Sequence, residues 1–171
     1  MLLQKPAPIS GVSAGKEAVI QIVHPSIAAN GVGKALGNLY DSIPAKVGGV
    51  KLSHLLFALP TAPIGVLVYL WMKAFGSKYV LTNRSVQIHG SLTGRVIDQV
   101  PLDKVADVRI RLEPGQAFYP AGDLYLVNAK GESLLVLPGV PWPDVFQQTI
   151  LKARDARTLT ESSLRTIGAR H

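Results

Sequence analysis

From Leu52 to Met72 the chain reads LSHLLFALPTAPIGVLVYLWM, with no formally charged side chain between Lys51 and Lys73. At 1.5 Å of rise per residue, about twenty apolar residues cover the roughly 30 Å hydrocarbon core of a bilayer. The pattern therefore predicts a membrane segment over residues 52–75. Pro60-Thr61-Ala62-Pro63 falls near its middle, where each proline removes an amide donor and disturbs the preceding turn. Two arrangements fit: one kinked helix that crosses, or a short helical hairpin of Leu52–Leu59 and Ile64–Phe75 that dips in and returns. A hairpin's irregular backbone needs protein cover in lipid, which favours the kinked helix. Tyr69 and Trp71, followed by Lys73 and Lys78, have the character of interfacial anchors, and Lys51 stands at the other end. With lysine at both ends, the segment carries no orientation signal.

After Gly76 the hydrophobic period changes to two. Tyr79–Thr82, Ser85–Gly90, Arg95–Leu102, Val105–Leu112, Asp123–Val127 and Ser133–Leu137 read as short strands separated by turn residues, with Glu113–Gly122 as a longer loop. Val108, Ile110 and Leu112 alternating with Asp107, Arg109 and Arg111 form the clearest half-buried strand. Short meandering strands predict an antiparallel sheet or partly closed barrel. A helix is expected from Pro143-Asp144, where proline suits the first turn and the carboxylate the positive end of the dipole. Trp142, Val145, Phe146, Thr149, Ile150 and Ala153 share one face, so the helix reads as a lid with Trp142 and Phe146 in the core. Beyond Arg157 a polar, loosely ordered tail (158–171) is expected.

Upstream, residues 1–17 mix proline, glycine and serine without a period and lack the apolar run of an export signal, so a flexible lead-in is expected. Ala18–Val23 alternates as a short strand. Ile27–Val50 has apolar spacing broken by Lys34, Asp41 and Lys46, which suits an amphipathic helix lying in the interface or packed beside the apolar segment. Gly33 and Gly37 have the GxxxG spacing that permits close helix approach in a membrane. GVGK lacks the spacing of a phosphate loop and its Ser/Thr. The division is thus a lead-in (1–17), a strand with an interfacial segment (18–51), the membrane segment (52–75), a folded domain (76–157) and the tail.

Hydrophobic content of 47% with only 6% aromatics fits one long apolar segment added to an ordinary small domain. No cysteine is present, which excludes disulfides, thiolate metal sites and cysteine nucleophiles. The net charge of +7 is uneven: residues 1–84 hold eight Lys/Arg against Glu17 and Asp41, and residues 85–171 hold ten against nine acids. A nearly neutral folded half argues against a nucleic-acid partner, which would draw a basic face on the domain. The basic excess beside the apolar segment suits anionic headgroups.

Candidate chemistry is sparse. His24, His54, His89 and His171 stand apart with no ligand spacing, so no metal site is expected. Asp98, on a period-two strand, should face solvent without a proton-transfer partner. No nucleophile elbow, paired acids or cofactor fingerprint is present, so the chain reads as a non-enzyme with no cofactor and no small-molecule substrate. Asn83-Arg84-Ser85 fits a glycosylation sequon.

An apolar segment leading into Tyr79-Val80-Leu81-Thr82-Asn83-Arg84, then Gly90, Ile97-Asp98-Gln99-Val100-Pro101-Leu102, Val105-Ala106-Asp107-Val108, Gly122-Asp123-Leu124 and Leu137-Pro138-Gly139-Val140, resembles the bacterial pleckstrin-homology-like domain family. His24-Pro25-Ser26 looks like a lead-in to its membrane segments. The chain departs from the family pattern upstream, with one strongly apolar segment where many relatives have two. The resemblance implies a mainly β fold: a bent antiparallel sheet or partly open barrel of six to seven strands, capped by a C-terminal α-helix and preceded by a membrane-embedded apolar helix or short helical hairpin. It also implies attachment to the bacterial cell membrane with the domain in the cytoplasm. The role expected is a scaffold, assembly factor or accessory subunit that meets the bilayer and another membrane protein or a second copy of itself. An anionic headgroup-binding module is the alternative. Contacts expected to carry either role are Lys46, Lys51, Lys73, Lys78 and Arg84, with Arg109 and Arg111 on an exposed strand face.

Overall fold

The alternating segments become strands and the helical ones helices in the order β1 (Val19–Val23), α1 (Gly31–Asp41), β2 (Lys46–Val47), β3 (Val50–Lys51), α2 (Leu52–Phe75), β4 (Ser77–Thr82), β5 (Ser85–Gly90), β6 (Val96–Pro101), β7 (Asp107–Arg111), β8 (Ala121–Val127), β9 (Ser133–Pro141) and α3 (Pro143–Gly168). Single 3-10 turns lie at Ile27–Ala29 and Leu102–Lys104. The computed structural model describes residues 17–168, so the predicted lead-in lies almost wholly outside the described residues.

Two antiparallel sheets hold the core. One has the order β1-β4-β5-β6 and the other β7-β8-β9, with β2 and β3 forming a separate small hairpin. β1 is the distant strand: it pairs with β4 through Val23 opposite Tyr79 and Ile22 opposite Val80, across the whole α1–α2 excursion. Leu81, Val86, Leu124, Leu126, Leu137 and Val140 turn inward from the sheets. Phe146, Ile150 and Ala153 of α3 close over them, each large side chain contributing about 1.5–3 kcal/mol by burial. β9 extends to Pro141, past the expected end at Leu137, because Gly139 takes φ 61° and its N–H donates to Asp123 Oδ1 at 2.8 Å.

Three expectations for the C-terminal half need correction. Trp142 is 65% exposed with φ 49°, and Val145 is 60% exposed, so the lid buries only the Phe146 side of the expected face. Leu112 lies just past the end of β7 and is exposed, although Val108 is buried as expected. Residues 158–168 continue α3 as helix, helped by the Arg157–Glu161 pair at 2.9 Å, i to i+4.

Upstream, α1 packs beside α2, the second of the two arrangements that its spacing allowed. Asn30 caps α1 by accepting from Gly33 N–H at 2.8 Å. Gly33 and Gly37 do permit close approach, but to the chain's own turns: a Cβ at Gly33 would meet Ile27 O at 1.9 Å, and one at Gly37 would meet Gly115 O at 2.1 Å.

α2 is a single helix running through both Pro60 and Pro63. Among the described residues no helix is long and apolar enough to cross a membrane, so the spanning arrangement finds no support. α2 keeps close company within the chain. Asn30 Nδ2 lies 2.9 Å from Met72 Sδ, and Tyr40 O–H meets Thr61 Oγ1 at 2.5 Å, so α1 runs antiparallel along it. Lys34, between these two contacts on α1, pairs with Glu113 at 2.6 Å.

Candidate functional site

α2 divides lengthwise into a covered stripe and an open arc. His54, Phe57, Thr61, Gly65, Val68 and Met72 recur at three- and four-residue spacing and are partly covered, which is the seam against α1. Leu55, Leu56, Ile64, Val66, Leu67, Leu70, Trp71 and Phe75 are each 45% exposed or more. A helix apolar on nearly all sides is ordinarily enclosed by protein or lipid, so the open arc marks an interaction surface.

At the C-terminal end of α2 the aromatic and basic residues gather. Lys73 Nζ stands 5.9 Å from the Tyr69 ring centroid, a cation–π geometry, and Trp71 lies 6.5 Å from Phe75. Beside them a pocket of about 270 Å³ opens between this turn and the His24-Pro25 lead-in, with Tyr69, Lys73 and Ser77 on its walls.

The remaining basic candidates do not form one rim. Lys46 and Lys51 face each other across the β2–β3 hairpin at the opposite end of α2, and Lys51 Nζ is held by Asp41 at 2.6 Å. By helical rise, Lys51 and Lys73 stand about 33 Å apart. Lys78 pairs across strands with His89. Arg84 follows β4 at its far end, about 20 Å from Lys78 by strand rise. Arg109 and Arg111 are exposed on β7 in the other sheet, with Arg109 Nε 4.0 Å from Asp107. Asp98 is exposed on β6, with its carboxylate accepting from Gln99 N–H.

The Leu81-Thr82-Asn83-Arg84 turn works mainly as a clamp on β1. Ala18 N–H donates to Asn83 Oδ1 at 2.9 Å, and Asn83 N–H returns to Ala18 O at 3.0 Å. Glu17 Oε1 accepts from Thr82 Oγ1, Ser85 Oγ and Gln87 Nε2 at 2.7, 2.9 and 3.0 Å. Leu81 is fully buried.

A second polar hub ties α1 to the β7–β8 loop. Asp123, 4% exposed, accepts from Gln116 Nε2 at 2.5 Å and Gly139 N–H at 2.8 Å, with Lys34 Nζ 3.8 Å away. Its hydrogen bond to Glu113 raises the pKa of Lys34, and the same bond lowers that of Glu113. Next to the hub, Phe118 stacks on Tyr40 with centroids 4.7 Å apart and meets His54 edge-on at 5.3 Å. Burial raises Tyr119, which abuts Phe118, to about 12. This cluster was not anticipated from the sequence; the aromatic pair in a Pro/Gly-rich loop was its one visible signal.

Among the described residues no group of His, Asp and Glu is placed to hold a metal. No curated protein and no solved structure matches the chain. The family described as Bacterial PH domain matches residues 33–161, three-quarters of the length. β1 lies upstream of that match, yet it supplies the fourth strand of the first sheet. Two antiparallel sheets closed by a C-terminal helix, together with a match of that extent, establish that the chain belongs to the bacterial PH domain family.

Proposed function

We propose that this bacterial PH domain is a non-enzymatic membrane-attached module, seated on the bacterial cell membrane from the cytoplasmic side, where it serves as a scaffold or accessory subunit of a membrane complex. The open apolar arc of α2 carries the reading. Its exposed leucines and valines, ending at Tyr69 and Trp71, suit a helix lying in the interface with its apolar side among the acyl chains. The bilayer then meets one flank of the domain, while α1 and its charged groups stay on the protein side. Bacterial PH domains are generally non-catalytic, in keeping with a binding role.

The β7 edge supports docking elsewhere than on that strand. Gln147 Nε2 donates to Val108 O at 2.5 Å and Arg154 Nη1 donates to Ala106 O, so α3 already occupies these carbonyls. Anionic headgroup binding is the second reading, favoured by the donor-lined pocket beside Lys73.

Flotation of the full chain with phosphatidylcholine vesicles tests the attachment. The chain is expected to float, and Leu67→Glu with Leu70→Glu to leave it at the bottom of the gradient. A chain that neither floats nor co-purifies with a membrane protein in mild detergent overturns the reading.

A further inference from the structure

We propose that the tip of the β5–β6 hairpin is a second bilayer contact, with Leu92 entering the boundary between headgroups and acyl chains beside the end of α2. This rests on the membrane reading above and adds to α2 a separate surface that fixes how the domain is tilted. Leu92 is 74% exposed, more than any other large apolar side chain among the described residues. It stands in the turn Ser91-Leu92-Thr93-Gly94, a place where polar residues and glycine are the rule. The turn is held by its own bonds. Gly90 N–H donates to Arg95 O at 2.9 Å, Gly94 N–H to Gly90 O at 2.9 Å and Arg95 N–H to Thr93 Oγ1 at 3.3 Å, with Gly94 at φ 64°. A fixed turn thus presents the leucine outward, and Val96 and Ile97 at the start of β6 are exposed as well.

The tip is joined to the open arc of α2. That helix passes through Gly76 straight into β4, and β4 pairs with β5 from Ser77 opposite Gly90, so the turn leaves the sheet at the end where α2 arrives. Ser91 N–H donates to Gly76 O at 2.9 Å. Within the arc, Ile64, Leu67, Trp71 and Phe75 are exposed at three- and four-residue spacing, a stripe about 17 Å long that ends one residue before Gly76. Leu92 follows Ser91, which makes stripe and tip one apolar surface across helix and hairpin. The shape and charge of the tip favour lipid over protein. A projecting four-residue turn offers far less than the roughly 800 Å² per partner of a stable protein interface, whereas one leucine entering lipid gains on its own. No Asp or Glu occurs from Ser77 to Ile97, while Arg95 closes the turn and Lys78 lies near the same end of β4, charges that suit an anionic leaflet.

The chain has no cysteine, so Leu67→Cys, Leu92→Cys and Leu159→Cys each give the full chain a single attachment point for a polarity-sensitive dye. With phosphatidylcholine vesicles the emission at positions 67 and 92 is expected to shift to the blue, and that at 159, exposed on α3, to stay as in water. Leu92→Ser should weaken vesicle binding about tenfold with the urea midpoint unchanged, while Leu159→Ser should leave binding as it is. A dye at 92 that stays in water while the one at 67 shifts, equal shifts at 92 and 159, or Leu92→Ser binding as tightly as the wild type would each overturn the second contact and leave the membrane reading standing. If no position shifts and the wild-type chain stays off the vesicles, the membrane reading fails and the second contact with it. Should position 92 become dry only in a complex with a co-purifying membrane protein, the tip is a protein contact and the lipid assignment falls.

Discussion

Gly37 of α1 rests directly on the carbonyl of Gly115, with a Cβ at position 37 falling 2.1 Å from that oxygen. The contact is reciprocal, since a Cβ at Gly115 would lie 2.0 Å from Lys34 O and Gly115 itself takes φ 84°. Both partners are backbone, so neither yields by a rotamer change. In an open helix Gly→Ala gains about 1 kcal/mol of propensity. Here overpacking dominates, and Gly37→Ala is expected to destabilise the chain by about 1–3 kcal/mol in urea denaturation. A stabilised variant would mean that α1 does not seat on the loop.

Asp123 sits where three elements meet, accepting from Gln116 on the loop and Gly139 on β9 while facing Lys34 on α1. Asp123→Ala leaves the Gln116 amide only its long 3.5 Å contact to Ala28 O and strands the Gly139 N–H in a buried setting. Each orphaned donor costs about 1–3 kcal/mol, so the loss should exceed that of a typical surface change and show as a lower urea midpoint. Asp123→Asn keeps one acceptor oxygen and should fall between the two.

The Lys34–Glu113 pair makes the docking of α1 pH-dependent. Glu113 is shifted below its ordinary 4.5, so its contribution is present above that value and is lost as pH falls through the depressed one. Lys34 is shifted above its ordinary 10.5, so its contribution is present below 10.5 and is lost as pH rises through the elevated value. Thermal midpoints of the wild type should therefore fall at both extremes, and the gap between wild type and Glu113→Gln should close on acidification. A gap independent of pH would show that the pair adds nothing.

The sheets were readable because their inward residues alternate: Leu124 and Leu126, or Leu135 and Leu137, mark a buried face without reference to any partner. The fate of α2 was not, because an uncharged run from Leu52 to Met72 reads like a membrane span. What keeps it on the domain lies far away in sequence, in Asn30, Lys34 and Tyr40 and in the loop at Gly115 and Phe118. Long-range docking of this kind leaves no periodic trace. The aromatic and basic end at Tyr69, Trp71 and Lys73 was legible from interfacial chemistry, but its neighbour His24, from beyond β1, was not. Glu17 was counted only as a charge, yet it anchors the strand that completes the first sheet.

Trp142 and Phe146 lie four residues apart, on what would be a single helical face, and their environments separate them. Phe146 is 1% exposed in the core, while Trp142 precedes α3 in a left-handed conformation that a bulky side chain adopts only under strain. Phe146→Ala is expected to lose about 3–5 kcal/mol through lost burial and the cavity left behind. Trp142→Gly exchanges little buried surface. Relief of about 1 kcal/mol or more at a positive φ is set against the greater freedom that glycine gives the unfolded chain, about 0.5–1 kcal/mol. Its urea midpoint should therefore match the wild type or exceed it slightly. If Trp142→Gly were as damaging as Phe146→Ala, Trp142 would belong to the core after all, and the groove between β1 and α3 would be closed by it.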